Sequence, residues 1–202
     1  MADRKIGVLA SGRGSNLQAL IDNMRAGALP VQISVVVSDS SAAFALGRAK
    51  AAGIAACAIE RRRFAEKGDF EKALSEKLEK SGAELVVMAG FMRLLGSCFI
   101  NRWPLRIMNI HPSLLPSFPG LSAQAQAIRY GAKISGCTVH FVDEGMDTGP
   151  IIIQKAVPVL ETDTEEDLSA RILEQEHIAY TEAIRLWAEN RLEVSGRLVK
   201  IK

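Results

Sequence analysis

The chain has 202 residues, 48% of them hydrophobic, with 25 Lys and Arg against 23 Asp and Glu for a formal net charge of +2. That length and apolar content suit one domain, 1–202, with a sizeable core, and the charge balance excludes the basic footprint of a nucleic-acid binder. Three cysteines (Cys57, Cys98 and Cys137) are odd in number and widely spaced, so buried, reduced thiols are expected rather than a disulfide framework or a zinc motif, and the first apolar run is too short for a signal peptide or a membrane span, which predicts a cytoplasmic protein.

Residues 5–10 read as a buried strand. They run into Ser11-Gly12-Arg13-Gly14-Ser15-Asn16 before apolar side chains resume with helical spacing at Leu17, Leu20, Ile21 and Met24. A strand, a glycine loop and a helix start bring free backbone N–H groups and the positive end of a helix dipole to one spot, which suits a phosphate. Leu17 stands where a dinucleotide fingerprint would have its third glycine, and no Gly-Lys-Ser/Thr run makes a P-loop. The plainer alternative is a tight turn with Ser15 or Asn16 capping the helix.

Residues 31–38 are β-branched and form a second strand, 42–52 an alanine-rich helix stopped by Gly53, and 54–59 a third strand. This alternation predicts an α/β fold with an open, mostly parallel, Rossmann-like sheet and helices on both faces. Asp39, just after the second strand, reads as a capping or turn residue rather than a ribose-binding acid. Residues 60–67 form a charged loop with Arg61, Arg62, Arg63 and Lys67, read as a solvated face. Residues 69–81 place Phe70, Ala73, Leu74 and Leu78 on one helical stripe, ended by Gly82.

Residues 85–89 give a fourth strand, and Gly90-Phe91-Met92-Arg93-Leu94-Leu95 lies at its carboxyl end, where open α/β sheets place ligands. Apolar side chains with one arginine would suit a flat ring with polar edges. The alternative is a hydrophobic loop packed on the sheet with Arg93 reaching outward. Residues 106–110 predict a short strand after Trp103-Pro104, and side-chain alternation turns Asn109 and His111 the same way. Pro112 holds His111 extended at the strand exit. An amide and an imidazole side by side both donate to an oxygen gaining negative charge, as acyl transfer creates.

Ser122 is placed to cap a short helix over 123–130 that Gly131 closes. Residues 135–142 and 150–157 read as further strands, antiparallel toward the C-terminus, flanking a loop with glycines on both sides of Asp147. A carboxylate there, facing His111, would favour the imidazolium and make a proton donor and acceptor. Against this stand two bland alternatives, Asp147 as a turn residue and Asn109 with His111 as a solvated strand edge. His140 alternates with Val139 and Phe141, so it lies on the other face and reads as a structural histidine, with a supporting catalytic role as the alternative. An acidic start over 162–167 opens a long amphipathic helix with Leu168, Ile172, Ala179, Ala183 and Leu186 on one face and Glu176 and His177 as surface charge. Residues 191–201, with Ser195-Gly196 between apolar stretches, predict a terminal hairpin.

Asn109-Ile110-His111-Pro112-Ser113-Leu114-Leu115-Pro116, then Phe118-Pro119-Gly120-Leu121, then residues 136–149 resemble the formyltransferases that use 10-formyltetrahydrofolate, and within them the branch that acts on phosphoribosylglycinamide in purine biosynthesis. The resemblance runs from the first strand to the long last helix. It implies a transferase of one-carbon metabolism with 10-formyltetrahydrofolate as co-substrate, 5-phosphoribosylglycinamide as acceptor and no metal. Its partners would be small molecules, with no nucleic acid and no membrane, and the protein a monomer or homodimer. The resemblance implies Asn109, His111 and Asp147 as the catalytic trio. It assigns Gly14, Ser15 and Asn16 to the ribose phosphate and Glu176 to the glycinamide end. It assigns Lys67, Met92, Arg93, Leu94, Leu95 and Asn109 to the folate, with backbone groups of 92–95 on the pterin.

The chain departs from the family pattern at Ser122, where many relatives carry histidine after Pro-Gly-Leu, and at Lys67, where arginine is frequent and lysine keeps the charge without the bidentate geometry. A 10-formyltetrahydrofolate deformylase, with water as nucleophile, is the alternative activity. Relatives of that type carry an N-terminal regulatory domain, and methionyl-tRNA formyltransferase adds a C-terminal nucleic-acid-binding domain, neither of which is expected here. A folate or sugar-phosphate binding module without catalysis is a third alternative, opposed by the intact trio.

Overall fold

The computed structural model describes residues 4–202. Its first strand, β1 (Arg4–Ala10), carries Val8, Leu9 and Ala10 with no solvent exposure, the apolar run expected of a strand covered on both faces. Helix α1 (Ser15–Arg25) follows, then β2 (Val31–Ser38), which pairs with β1 in parallel. Helix α2 (Phe44–Ala51) leads to β3 (Ala56–Ala58), parallel to β2. A single 3-10 turn (Arg61–Arg63) and helix α3 (Lys67–Lys80) return the chain to β4 (Leu85–Met88), which pairs with the other side of β1. A short helix α4 (Ser97–Ile100) precedes β5 (Ile107–His111), parallel to β4.

Two compact units divide at Asn109 and Ile110, inside β5. The second contains α5 (Ala123–Tyr130), an antiparallel pair of β6 (Ile134–Phe141) and β7 (Ile151–Pro158), and the 24-residue α6 (Glu165–Ala188). A separate two-stranded hairpin closes the chain, β8 (Leu192–Ser195) with β9 (Leu198–Ile201). The seven-stranded sheet has the order β3-β2-β1-β4-β5-β6-β7, so the α/β class, the mostly parallel sheet and the antiparallel C-terminal strands all stand as expected.

Strand order positions the first unit's loops. The chain leaves β1 on one side to build β2 and β3, then returns to β4 on the other side, so the loops after β1 and β4 diverge at a topological switch point. Those loops are 11–14 and 90–95. In the second unit, α6 begins with a capping box in which the Thr164 hydroxyl and backbone exchange bonds with Asp167, and three acidic residues fill its first turn. Both features satisfy the positive helix start. Leu168, Ile172, Ala179, Ala183 and Ile184 on its inner face are fully buried.

Several boundaries differ from expectation. The third strand shrinks from 54–59 to three residues, because as an edge strand it gains a ladder on one side only. Lys67, expected in a loop, is the first residue of α3, and Asp69 sits in that helix's first turn, where a negative charge is favoured. Ser122 does not cap α5: it adopts φ 54° and its hydroxyl makes no cap bond, because the left-handed backbone turns the side chain from the helix axis. Gln126 instead donates to the carbonyls of Pro119 and Leu121. Cys98 is exposed and Cys57 half-buried, against the expectation of three buried thiols; only Cys137 is buried.

Within the first unit the Trp103 indole N–H donates to Ser75 Oγ at 2.8 Å, both groups being buried. Ser75→Ala leaves that donor unpaired and costs about 1–3 kcal/mol in urea unfolding, a loss that shrinks when the same change is made in a Trp103→Phe background.

Candidate functional site

In the first unit, the loop after β1 turns through Gly14 at φ 71° and enters α1 without any side-chain cap. The cap position is thus Gly14 rather than Ser15 or Asn16. A Cβ at Gly14 would lie 2.9 Å from Ala45 Cα, so the close approach of α2 and the left-handed φ both require glycine. Arg48 of α2 donates from Nε to Arg13 O at 2.9 Å and from Nη1 to Gln18 Oε1 at 3.1 Å. The first-turn N–H groups of α1, with Ser15 and the buried Asn16 among them, therefore form the anion-seeking end of a braced loop. Arg48 gave no signal in sequence beyond an alanine-rich helix.

The segment after β4 is tied to this loop. Ser11 N–H donates to Gly90 O at 3.0 Å, and Met92 N–H donates to Ser11 Oγ at 2.9 Å. Arg93 stays partly exposed but does not stand free: its guanidinium pairs with Asp39, so Asp39 is an ion-pair partner rather than a simple turn residue. Met92 and Leu94 are 70% and 62% exposed. Lys67 Nζ lies 3.5 Å from Glu71 Oε1, and that buried carboxylate also accepts from Gly96 N–H at 2.7 Å. The charged run at 61–63 is anchored too, since the buried Glu60 accepts from Ser41, Arg62 and Arg63, which hold its carboxyl down to about 2. Asn109 lies half-buried on β5, opposite Met88 of β4.

In the second unit, His111 ends β5 in a buried position with Nδ1 3.3 Å from Asp147 Oδ2 and Nε2 2.8 Å from Phe118 O. Both ring nitrogens face oxygen acceptors, so two N–H donors, as an imidazolium carries, would satisfy both. Asp147 Oδ2 also accepts the Gly120 N–H at 2.8 Å. The loop around it is tight. Asp147 has φ 55°, Asp143 accepts from Gly145 N–H and Thr148 Oγ1, and Arg197 of the terminal hairpin donates to Thr148 O at 2.8 Å. A Cβ at Gly149 would lie 1.7 Å from Phe141 O, so only glycine lets this loop re-enter beside β6.

His140, which alternation had read as structural, lies beside Asp147 as well. Its Nε2 is 3.7 Å from Asp147 Oδ1 and its Nδ1 lies 2.9 Å from Phe141 O. Alternation orders faces within one strand; it says nothing of where the loop after that strand folds back. Glu176 is buried, against the expectation of surface charge, and its carboxylate contributes, after burial, to pushing the Cys137 thiol up to about 12. His177 is half-buried with Nε2 enclosed and lacking a hydrogen-bond partner. Among the described residues no group of three or more His, Cys, Asp and Glu is arranged to hold a metal ion, and no helix is long and apolar enough to cross a membrane.

A family model described as formyl transferase matches residues 4–184. The phosphoribosylglycinamide formyltransferase of Bacillus subtilis is 43% identical over 182 residues, 90% of this chain and 93% of that protein. The crystal structure of glycinamide ribonucleotide transformylase 1 from Symbiobacterium toebii superposes with a TM-score of 0.97 at 52% identity, covering 98% of this chain and 93% of that one. Longer proteins match as well: the chain is 44% identical to the trifunctional purine biosynthetic protein adenosine-3 of Chironomus tentans over 96% of its own length but spans 14% of that relative. A formyltetrahydrofolate deformylase from Pseudomonas syringae shares the fold more distantly, at 25% identity and TM-score 0.92 over 66% of that chain.

Burial lowers the pKa of both His140 and His177 below the ordinary 6.5. The folded state then binds these protons less readily than the unfolded chain, so stability is greatest above pH 6.5 and falls as the pH drops below it, until the depressed folded values are passed. The carboxyls of Glu60 and Asp163, held at about 2, act later, losing their contribution as pH falls from the ordinary carboxylate range toward that value. Urea midpoints recorded from pH 7 downward should therefore decline before the carboxylate range is reached, and His177→Gln should flatten that first decline while leaving the more acidic one.

Proposed function

We propose that this chain, which belongs to the formyl transferase family, moves the formyl group of 10-formyltetrahydrofolate to the primary amine of 5-phosphoribosylglycinamide, a step of purine biosynthesis. What supports this above all is the Asp147 carboxylate 3.3 Å from the His111 imidazole, in a chain alike over nearly its whole length to a phosphoribosylglycinamide formyltransferase. The 1–202 domain would work in the cytoplasm on small molecules alone, without a metal, as a monomer or homodimer.

In this reading the amine attacks the formyl carbon directly. The carbonyl π electrons move to oxygen, and a tetrahedral intermediate forms with a cationic attacking nitrogen. Asn109 and His111, two residues apart on β5, donate to the new oxyanion. His111 Nε2, bonded to Phe118 O in the free chain, must exchange that carbonyl for the oxyanion as the substrate arrives. Asp147 balances the imidazolium charge and, through an ordered water, carries a proton from the attacking nitrogen to the folate N10. The C–N10 bond then breaks, N10 leaves as a neutral amine, and the C=O bond reforms. His140, neutral because burial lowers its pKa, packs beside Asp147 without competing for its negative charge.

Binding roles follow the same proposal. Gly14, Ser15 and Asn16 hold the ribose phosphate at the start of α1, with Glu176 near the glycinamide amine. Met92, Arg93, Leu94 and Leu95 present backbone groups to the pterin, with Asn109 close to the formyl group. Lys67 attracts the folate's carboxylates as a point charge.

The deformylase alternative shares the same oxyanion chemistry and differs in its nucleophile. Folate deformylation followed with and without phosphoribosylglycinamide separates them. Release that depends on the amine, with formylated product in equal amount, is expected; amine-independent release would assign the chain to the hydrolase. Asn109→Ala should lower kcat by about two to three orders of magnitude, and Asp147→Asn should do comparable damage while keeping the Gly120 hydrogen bond.

A further inference from the structure

Asp39 is a buried carboxylate that none of the roles above uses. It follows β2, its side chain is 8% exposed, and one carboxylate oxygen, Oδ2, accepts from Arg93 Nε. The other, Oδ1, is buried without a hydrogen-bond partner. The guanidinium carbon of Arg93 also sits 5.9 Å from the centre of the Phe70 ring. The arginine is therefore held at its head by a carboxylate and an aromatic ring, while Met92 is held at its backbone by Ser11.

Burying a carboxylate with one oxygen unpaired works against folding. An asparagine of nearly the same shape would fill the space at lower desolvation cost, so packing does not account for the charge. A guanidinium does, because a charge-assisted bond is stronger than one to a neutral amide, even with the Arg93 side chain 43% exposed. We infer that Asp39 is a positioning residue for the co-substrate segment: by occupying the Arg93 side chain it fixes the backbone of residues 92–95 in the orientation that addresses the folate ring. Arg93 then serves the folate through its backbone, and its charge is spent on Asp39. This inference rests on the proposed folate role of residues 92–95.

Asp39→Asn tests it. The KM for 10-formyltetrahydrofolate should rise roughly tenfold, the size of one charge-assisted hydrogen bond, while kcat and the KM for the glycinamide substrate change by less than about twofold. Amide hydrogen exchange across residues 90–95 should quicken without any folate present, the melting temperature should not fall, and Asp39→Glu should restore part of the folate KM. If Asp39→Asn fails to fold, Asp39→Ser, which removes the carboxylate with a smaller side chain, must give the same split. Equal rises in both KM values, or unchanged exchange in the segment, would overturn the inference. Faster exchange in the variant of a wild-type chain that neither binds nor deformylates the folate would sink the functional reading and leave the clamp standing. Unchanged exchange with normal wild-type turnover would do the reverse.

Discussion

A single carboxylate, that of Asp147, organises the second unit. It receives the Gly120 N–H, faces His111 Nδ1 and lies against His140. A negative charge this enclosed is tolerated only where polar groups surround it, and its neighbours come from different places: His111 at the exit of β5, His140 at the end of β6 and the Gly120 N–H of the proline-rich loop. The loop that presents it is correspondingly constrained. Asp147 takes a left-handed φ, Gly149 leaves no room for a side chain, and Arg197 of the terminal hairpin holds the neighbouring carbonyl. Backbone strain at a residue with such partners is the pattern expected where geometry serves chemistry.

The first unit solves a different problem. Its loops after β1 and β4 leave the sheet at a switch point, the place where open α/β sheets take ligands. Two flexible loops would bind poorly, because ordering them on contact costs affinity. They are already cross-braced: Ser11 ties one to the other, Arg48 braces the glycine turn, and Asp39 takes the Arg93 head. In the proposed reading, the phosphate loop and the ring-binding segment are thus largely preorganised before any ligand arrives.

The two histidines beside Asp147 differ in what surrounds them. His111 has an acceptor at each ring nitrogen, whereas burial dominates at His140 and holds it neutral. One carboxylate between two imidazoles can support only one full positive charge without repulsion between the rings. With His140 held neutral, the ring at the end of β5 faces Asp147 without a second charged imidazole beside it.

The sequence by itself determined the α/β class, the order of its strands and the strand that carries Asn109 and His111, because apolar period and glycine or proline punctuation are local properties; the short helix α4 left no such mark. It also marked the loop of Asp147, through the glycines around it, and the family, through motifs such as Asn109-Ile110-His111-Pro112. Tertiary structure alone decided which side chains meet. The Asp39 pairing with Arg93, the arrival of His140 at Asp147, the burial of Glu176 and the brace from Arg197 all join residues far apart in the chain or separated by a reversal of direction. Ser122 shows the same limit on a smaller scale: a residue type suited to capping was overruled by a backbone turned left-handed after Gly120. Periodicity reports which way a side chain leaves its own element; what it then encounters depends on how the other elements pack, which no local pattern encodes.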